Sequence, residues 1–271
     1  MNLKGKVVII TGASSGIGKA CAEEFAKKGS NVVLAARQYV KLCEITQEIQ
    51  SKYMVKALAV QVDVTKEDDC KALIDQTLLT MGKIDILINN AGISMRALFI
   101  DLDLEVLKQV MDINFWGAVY CTKYALPEIL NHQGSIVGVS SIAGYKGLPG
   151  RTGYSASKFA MNGFLEALRT ENLKNNLHVM VACPGFTASN IRNVALNSDA
   201  QPQGESSMIE EKMMSANEVA AIIVKGVAKR KRTLIMTGQG KLTVFLQKIF
   251  PKLLDTLVYN HFKKEKDPLL K

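Results

Sequence analysis

A chain of 271 residues with 48% hydrophobic content is long enough to bury a large core, and no break in composition or long linker divides residues 1–237. A net charge of +9 and a pI near 9.2 raise the question of nucleic acid, yet the lysines are dispersed, Lys229-Arg230-Lys231-Arg232 is the one dense cluster, and no recognition motif accompanies it. Five scattered cysteines without a Cys-x-x-Cys pair exclude a disulfide framework and a zinc site, and His132, His178 and His261 stand alone, without metal-ligand spacing.

The predicted elements alternate between strand and helix from the start. Val7-Val8-Ile9-Ile10 is a run of β-branched residues with no polar face, the pattern of a strand covered on both sides. Thr11-Gly12-Ala13-Ser14-Ser15-Gly16-Ile17-Gly18 follows at once, after which Ile17, Cys21 and Phe25 recur at helical spacing with Ala20 and Ala22. Strand, tight turn and helix in that order form a phosphate cradle. Gly12 admits a backbone geometry that a Cβ obstructs, Gly16 lets the chain approach a pyrophosphate, and Gly18 lets the helix lie close to the sheet. The helix N-terminus, with Ser14, Ser15 and Ile17 beside it, adds free N–H groups and a partial positive charge. The second strand, Asn31-Val32-Val33-Leu34-Ala35-Ala36, ends at Arg37 with no acid before Glu44. A carboxylate there would hold a ribose 2′-hydroxyl, whereas an arginine accommodates a 2′-phosphate, so the expected cofactor is NADP(H) rather than NAD(H).

Further strands are expected over Ala57 to Val62, Ile84 to Ile88, Ser135 to Val139 and Val179 to Cys183, ending respectively on Asp63-Val64, Asn89-Asn90-Ala91-Gly92, Ser140-Ser141 and Pro184-Gly185. Asn114 falls in Met111-Asp112-Ile113-Asn114-Phe115, inside a long helical pattern. Tyr154 and Lys158 are four residues apart, on one face of a helix expected over 154–174. The fold class is α/β: a doubly wound, Rossmann-type parallel sheet with helices on both faces in one domain, 1–237, followed by an amphipathic basic extension, 238–271.

Reducing a carbonyl requires a hydride on carbon and a proton on oxygen. Tyr154 is the proton donor expected here, because a phenol with a pKa of about 10 becomes useful near neutral pH once a neighbouring cation lowers it, and Lys158 is that cation. Ser141, after its strand, is placed to donate a hydrogen bond to the substrate oxygen as charge develops. Taken singly, a Tyr and a Lys four apart, a Ser-Ser pair and a helical Asn are ordinary features. Their joint order and spacing are not.

These motifs, from about Leu3 to about Met236, resemble the short-chain dehydrogenase/reductase family in its ordinary single-domain form. The resemblance implies that Asn114 holds a water linking Lys158 to solvent, that Asp63 contacts the adenine amino group and Val64 the adenine ring, and that Asn90, Ala91 and Gly92 run along the adenine ribose, while Asn-Ala-Gly runs also serve as ordinary turns that brace a sheet. It implies that Tyr154 and Lys158 also touch the cofactor and that Pro184 and Gly185 set the next backbone against the carboxamide. Where the family commonly has Thr five residues after this Pro, the chain has Ser189, with Thr187 two residues earlier, and either hydroxyl suits that contact. Ser140, Ser155 and Ser157 are assigned to packing or cofactor contacts. A homodimer or homotetramer through the helices bearing Asn114 and Tyr154 is the family default.

The irregular stretch that follows, within about 187–215, is placed to act as a substrate lid. Beyond Gly240 an apolar stripe runs with Lys241, Lys248, Lys252, Lys263, Lys264 and Lys266, and both charge and Pro251 interrupt it before about 20 apolar residues, too early to span a bilayer. Three readings stand for it: contact with an anionic membrane surface, packing on a partner subunit, or cover for the substrate cleft. The Lys229 to Arg232 cluster reads as a solvated helix end or a second membrane-facing patch. With no signal peptide at its start, the chain is expected to be cytoplasmic, or peripheral at a membrane. The expected function is NADP(H)-dependent interconversion of a carbonyl and a secondary alcohol on a lipophilic small molecule, the alternative being a redox-sensing NADP(H)-binding protein without turnover. No nucleic-acid partner and no metal are expected.

Overall fold

All five residues of β1 (Val7–Thr11) are buried, which requires cover on both faces of the sheet. Val8 and Ile10 join a core with α1 (Gly16–Lys27), α2 (Tyr39–Tyr53) and α7 (Ala216–Ala228). Val7 and Ile9 join the opposite core, with α3 (Glu67–Met81), α5 (Gly117–Asn131) and α6 (Thr152–Glu171). This two-period alternation makes three layers of the chain, as the sequence pattern predicts. Each fully buried Phe or aliphatic side chain, Phe25, Leu34 and Leu87 among them, contributes about 1.5–3 kcal/mol. The computed structural model describes residues 1–188, 191, 194–204, 213–265 and 268–270.

The other strands of the sheet are β2 (Asn31–Ala36), β3 (Ala57–Gln61), β4 (Ile86–Asn89), β5 (Ser135–Val139), β6 (His178–Cys183) and, after the short β7 (Thr187–Ala188) and β8 (Met214–Ser215), β9 (Thr233–Ile235). The seven-stranded sheet has the order β3-β2-β1-β4-β5-β6-β9, and every neighbouring pair is parallel. The order reverses between β1 and β4, so the loops leaving these two strands part and open a crevice. The strand expected from Ile84 starts at Ile86 instead. Asp85 interrupts the run, its carboxylate accepting from the Val7 N–H at 2.9 Å and from Lys6 Nζ at 2.6 Å.

A second difference concerns Asn114. The expected continuous helix is broken into α4 (Leu104–Met111), a π turn over Asp112–Trp116, and α5. The extra residue of a π turn changes the helical period locally, which a periodic pattern of apolar residues does not disclose. The expected helix over 154–174 runs slightly earlier, as α6. After β9 the chain forms α8 (Gly238–Ile249) and α9 (Pro251–Phe262), with Pro251 at the first position of α9, where its missing N–H costs no helical bond.

Candidate active site

The turn between β1 and α1 is built by its glycines and by β4. Gly12 and Gly16 have φ of +66° and +53°, in the left-handed region that favours glycine. A Cβ on Gly12 would lie 2.9 Å from Ala91 Cα, and one on Gly18 would collide with the Gly12 carbonyl. The Asn90 amide donates to the carbonyls of Thr11 (2.8 Å) and Gly12 (3.3 Å), while Thr11 Oγ1 accepts from the N–H groups of Asn90 and Ala91, both at 3.0 Å. Asn90 and Ala91 therefore brace the turn. The N-cap residue Ser15 makes no side-chain capping bond and the first turn of α1 holds no acid, so nothing negative opposes an anion at this N-terminus.

At the outer edge of the crevice, Arg37 is exposed just past β2, and its carbonyl accepts from Gln61 Nε2 at 3.3 Å. Asp63 stands across from it after β3. Burial pushes the Asp63 carboxyl up, but bonds from the Thr65 N–H (3.1 Å) and Oγ1 (2.8 Å), with the charges of Arg37 and Lys66, outweigh this and leave its pKa below the usual value. Val64 is buried against Gly117, where a Cβ would lie 2.8 Å from the valine Cβ.

Toward the other end, Ser141 caps a single 3₁₀ turn after β5, its Oγ accepting from the Ala143 N–H at 3.1 Å. Tyr154 and Lys158 project from the first turns of α6, with Lys158 Nζ 5.7 Å from the Tyr154 ring centre. Lys158 donates to the Val139 carbonyl at 2.9 Å and, among the described residues, is in no ion pair. Burial lowers its pKa to about 8. The nearby Cys183 thiol is itself pushed up to about 12 by burial, so it is neutral at pH 7 and supplies no counter-charge. Asn114, fully buried in the π turn, accepts from the Ile93 N–H (2.8 Å) and donates to the Ile93 carbonyl and to Ser157 Oγ, both at 2.9 Å. Gly92 joins the two: a Cβ there would lie 3.1 Å from Asn114 Oδ1 and 3.6 Å from Lys158 Nζ.

A cleft of about 160 Å³ gathers most of these groups at the C-terminal ends of β4, β5 and β6. Ile17, Asn90, Gly92, Ser141, Tyr154, Lys158, Pro184, Gly185 and Thr187 line it, while Asn114 lies behind Gly92. Thr187 Oγ1 donates to the Gly185 carbonyl at 3.0 Å, whereas Ser189, the other candidate hydroxyl, lies outside the described residues. Ser155 and Ser157 are structural: Ser155 Oγ accepts from the Leu148 N–H at 3.2 Å and Ser157 Oγ donates to the Tyr154 carbonyl at 2.8 Å. Leu148, Arg151, Phe186 and Ile191 also line the cleft and were not singled out from the sequence. Arg151 had one signal available, a cation beside the N-terminus of α6 where the helix dipole disfavours it.

Residues 6–200 match the short chain dehydrogenase family. The chain belongs to that family. It is 35% identical over 266 residues to 11-beta-hydroxysteroid dehydrogenase 1A of Arabidopsis thaliana, covering 94% of this chain and 74% of that one. To dehydrogenase/reductase SDR family member 7B of Xenopus laevis it is 34% identical over 269 residues, covering 97% and 83%. In fold it is similar to a short chain dehydrogenase/reductase of Burkholderia phymatum solved with NAD (TM-score 0.81, 24% identity, all of both chains). It is similar also to an alcohol dehydrogenase of Thermococcus sibiricus solved with 5-hydroxy-NADP (TM-score 0.73, 22% identity, 85% of this chain and 95% of that one).

In this short-chain dehydrogenase the segment after β9 packs on the mouth of the cleft. The Glu265 carboxylate is shared by Arg96, with Nη2 at 3.1 Å, and Arg151, with Nη2 at 2.9 Å, and its side chain is 5% exposed. Phe262 lies under the Arg151 guanidinium, 4.7 Å from its carbon to the ring centre, and His261 stacks on Phe186 with 6.3 Å between centres. Asp255 pairs with the largely buried Lys146. Of the segment expected to act as a lid, the described part is anchored on the far wall: Leu196 exchanges backbone bonds with Ser94 (3.0 Å) and Arg96 (2.8 Å).

Proposed function

We propose that the chain is an NADP(H)-dependent oxidoreductase that interconverts a carbonyl and a secondary alcohol on a lipophilic substrate. The observation that carries the reading is the meeting of Ser141, Tyr154 and a buried Lys158, with no carboxylate beside it among the described residues, in one cleft that opens onto the glycine-rich turn. The turn suits a dinucleotide: its backbone space is one a Cβ would fill, its helix N-terminus is free of acids, and Arg37 offers a guanidinium to a 2′-phosphate. The bound nicotinamide supplies or accepts the hydride. Every proton step belongs to the chain.

Tyr154 gives its phenolic proton to the carbonyl oxygen during reduction and takes it back during oxidation. Lys158, with a pKa of about 8, is still mainly an ammonium at pH 7, and in a low-dielectric setting its charge favours the phenolate strongly. Ser141 orients the substrate oxygen through a hydrogen bond that strengthens as charge grows there. Asn114 fixes the Ile93 backbone and Ser157 and adjoins Lys158 through Gly92, which supports its role as holder of the water that returns protons to Lys158. In this reading residues 1–237 carry the chemistry, and the described part of the extension, Gly238 to Glu265, packs over the mouth of the cleft. Apolar lining by Ile17, Val139, Leu148, Phe186 and Ile191, together with relatives named hydroxysteroid dehydrogenases, favours a steroid-like or otherwise lipophilic carbonyl over a small polar one.

The test is cofactor consumption against a panel of steroid ketones, acyl thioesters, aldehydes and quinones, with Tyr154→Phe and Arg37→Asp beside the parent chain. Tyr154→Phe is expected to lower kcat by about 10²–10⁴-fold with little change in cofactor affinity. Arg37→Asp is expected to weaken NADPH at least about tenfold more than NADH, a difference of about 1.4 kcal/mol. Equal weakening of both cofactors overturns the NADP(H) assignment, and tight binding without turnover across the panel favours the sensing alternative.

A further inference from the structure

The outward side of α8 and α9 carries a run of exposed apolar side chains. Leu242, Phe245, Ile249, Phe250, Leu253 and Leu257 are each 48–57% exposed and lie on two consecutive helices and, for Phe250, at the joint between them. Isolated apolar residues at a surface are ordinary, but a contiguous set of this kind marks a contact. The charges around it are sorted. The segment Gly238 to Glu265 holds five lysines, Lys241, Lys248, Lys252, Lys263 and Lys264, all exposed and, among the described residues, in no ion pair. Its two acids are both occupied by cations of the main domain, Asp255 by Lys146 and Glu265 by Arg96 and Arg151. What the segment offers outward is apolar and positive.

We propose that this face docks on an anionic phospholipid bilayer, with the cleft mouth held at the membrane surface. Charge complementarity selects the occupant. A second copy of the chain would set five lysines against five with, among the described residues of the segment, no free carboxylate between them, a repulsive arrangement for a two-fold contact. An anionic bilayer takes the same pattern favourably, because the apolar side chains enter the headgroup boundary while the lysines stay among phosphates. No helix among the described residues is long and apolar enough to cross a membrane, so the contact is with one leaflet. The opposite side of the same helices completes the geometry: Leu254 and Phe262 are buried, and His261 and Phe262 touch the cleft residues Phe186 and Arg151. A helix diameter of about 10 Å therefore separates lipid from cleft. A lipophilic carbonyl then passes from bilayer to cleft without crossing bulk water, a consequence that rests on the function proposed above, whereas the docking does not.

The basic cluster Lys229 to Arg232 does not belong to this surface. Arg230 donates to the Gln133 carbonyl at 3.0 Å and to the Asn176 carbonyl, and His178 bonds the Lys231 carbonyl at 2.8 Å, all before the first residues of β5, β6 and β9. Because the strands are parallel, that is the end of the sheet opposite the cleft. The cluster is a helix end tied to two loops, the first of the two readings given for it above, and it is not part of the proposed contact.

The experiment is co-sedimentation of the full chain with extruded vesicles of phosphatidylcholine alone or with about 30% phosphatidylglycerol, near-physiological salt against about 0.5 M. Binding to the anionic vesicles is expected to be at least tenfold tighter than to the neutral ones and to weaken in high salt. The double substitution Phe245→Gln with Leu253→Gln changes exposed residues and no charge, and is expected to cut binding tenfold or more at an unchanged Tm. Lys248→Gln with Lys252→Gln is expected to weaken binding several-fold, whereas Lys229→Gln with Lys231→Gln, at the far end, leaves it within twofold. Absent binding, or binding that the Phe245/Leu253 pair does not alter, overturns the proposal. So does light scattering that shows a dimer which that pair dissociates, the result expected of a second copy. NADPH turnover on a water-soluble carbonyl separates the two readings: turnover without vesicle binding sinks the docking alone, and binding without turnover sinks the proposed chemistry alone.

Discussion

The two ends of the parallel sheet are built on opposite rules. At the end where the strands begin, buried polar groups find partners inside the main domain: the Asp85 carboxylate meets Lys6, Lys83 and the Val7 N–H, and both nitrogens of His178 are bonded. At the end where the strands finish, Lys158 is buried with no carboxylate partner among the described residues, Gly12 and Gly16 hold left-handed backbone, and the N-terminus of α1 is uncapped by side chains. Arg96 and Arg151 at that end share the Glu265 carboxylate, which the last part of the chain brings from outside the main domain. Structural polar groups are satisfied locally. The end that bears the proposed site is left under-satisfied, as functional sites commonly are.

The sharpest way to break this contrast is at Asp85. Asp85→Asn keeps the shape but leaves two ammonium groups facing a neutral amide, and a cost of about 3 kcal/mol is expected in urea unfolding. Cofactor binding should be unchanged in the folded fraction. The Asp85 pKa is pushed up by burial and pulled further down by the bonds from Lys6, Val7 and Lys83, so it ends below its ordinary value. Its contribution is therefore complete above the unfolded value and disappears as pH falls through the lower folded one. An Asp85→Asn variant as stable as the parent at pH 7 would show that this end is not held by charge.

Glu265→Gln tests the borrowed carboxylate. Two guanidinium groups, 5% and 13% exposed in their side chains, would lose the carboxylate they share. About 2 kcal/mol of stability is expected to go with it, together with a higher KM for uncharged carbonyls and a smaller change in kcat, because Arg151 lines the cleft without replacing Tyr154. Unchanged stability would mean that the last turn contributes nothing to the main domain.

Lys158→Met should act in the opposite direction. Lys158 titrates near 8 in the folded chain, against 10.5 for a lysine in water, so the unfolded chain holds more protons between those values and stability rises with pH across that window. The penalty of burying the ammonium is full below pH 8. In cofactor-free protein, Lys158→Met is expected to gain about 2 kcal/mol at pH 7, less the lost bond to Val139, with the gain shrinking toward pH 10 and turnover abolished. Destabilisation at pH 7 would show that Lys158 is held by more than the structure provides.

Much of this was legible in the residues because it is local. Short apolar runs placed β1 to β6 within one or two residues, although the short β7, β8 and β9 were not among the strands expected, and the cleft gathers Tyr154, Lys158, Ser141 and Thr187, which were read from their positions after strands and on one helix face. Asn90 was legible only in part: the sequence placed it beside a cofactor, and its amide turns out to clamp Thr11 and Gly12. The π turn at Asn114 escaped because a one-residue change of period leaves no composition signal. Glu265 escaped for a different reason. Its partner Arg96 is 169 residues away, and an isolated Glu in a lysine-rich tail looks like every other solvated charge.

The smallest expected effect lies at His178, and it closes the comparison. The Lys231 carbonyl only accepts, so Nε2 carries the proton and Nδ1 accepts from Ser135 Oγ in the neutral ring, at 2.8 and 2.9 Å. Burial lowers the His178 pKa, the Lys231 bond opposes this, and the charges of Arg230 and Arg169 lower it further. The unfolded chain thus takes up the proton first as pH falls below about 6.5, and stability declines from there to the lower folded value. His178→Gln is expected to flatten the decline in Tm between pH 7 and 5, by less than any change above, and an unaltered slope would assign the decline to carboxylates instead. Acid therefore weakens the end of the sheet where Asp85 and His178 sit, and alkali relieves the end where Lys158 sits. A pH series on the parent chain and these variants reads the two ends separately, because stability rises with pH at both ends but in different windows, in the acid range for Asp85 and His178 and above about 8 for Lys158.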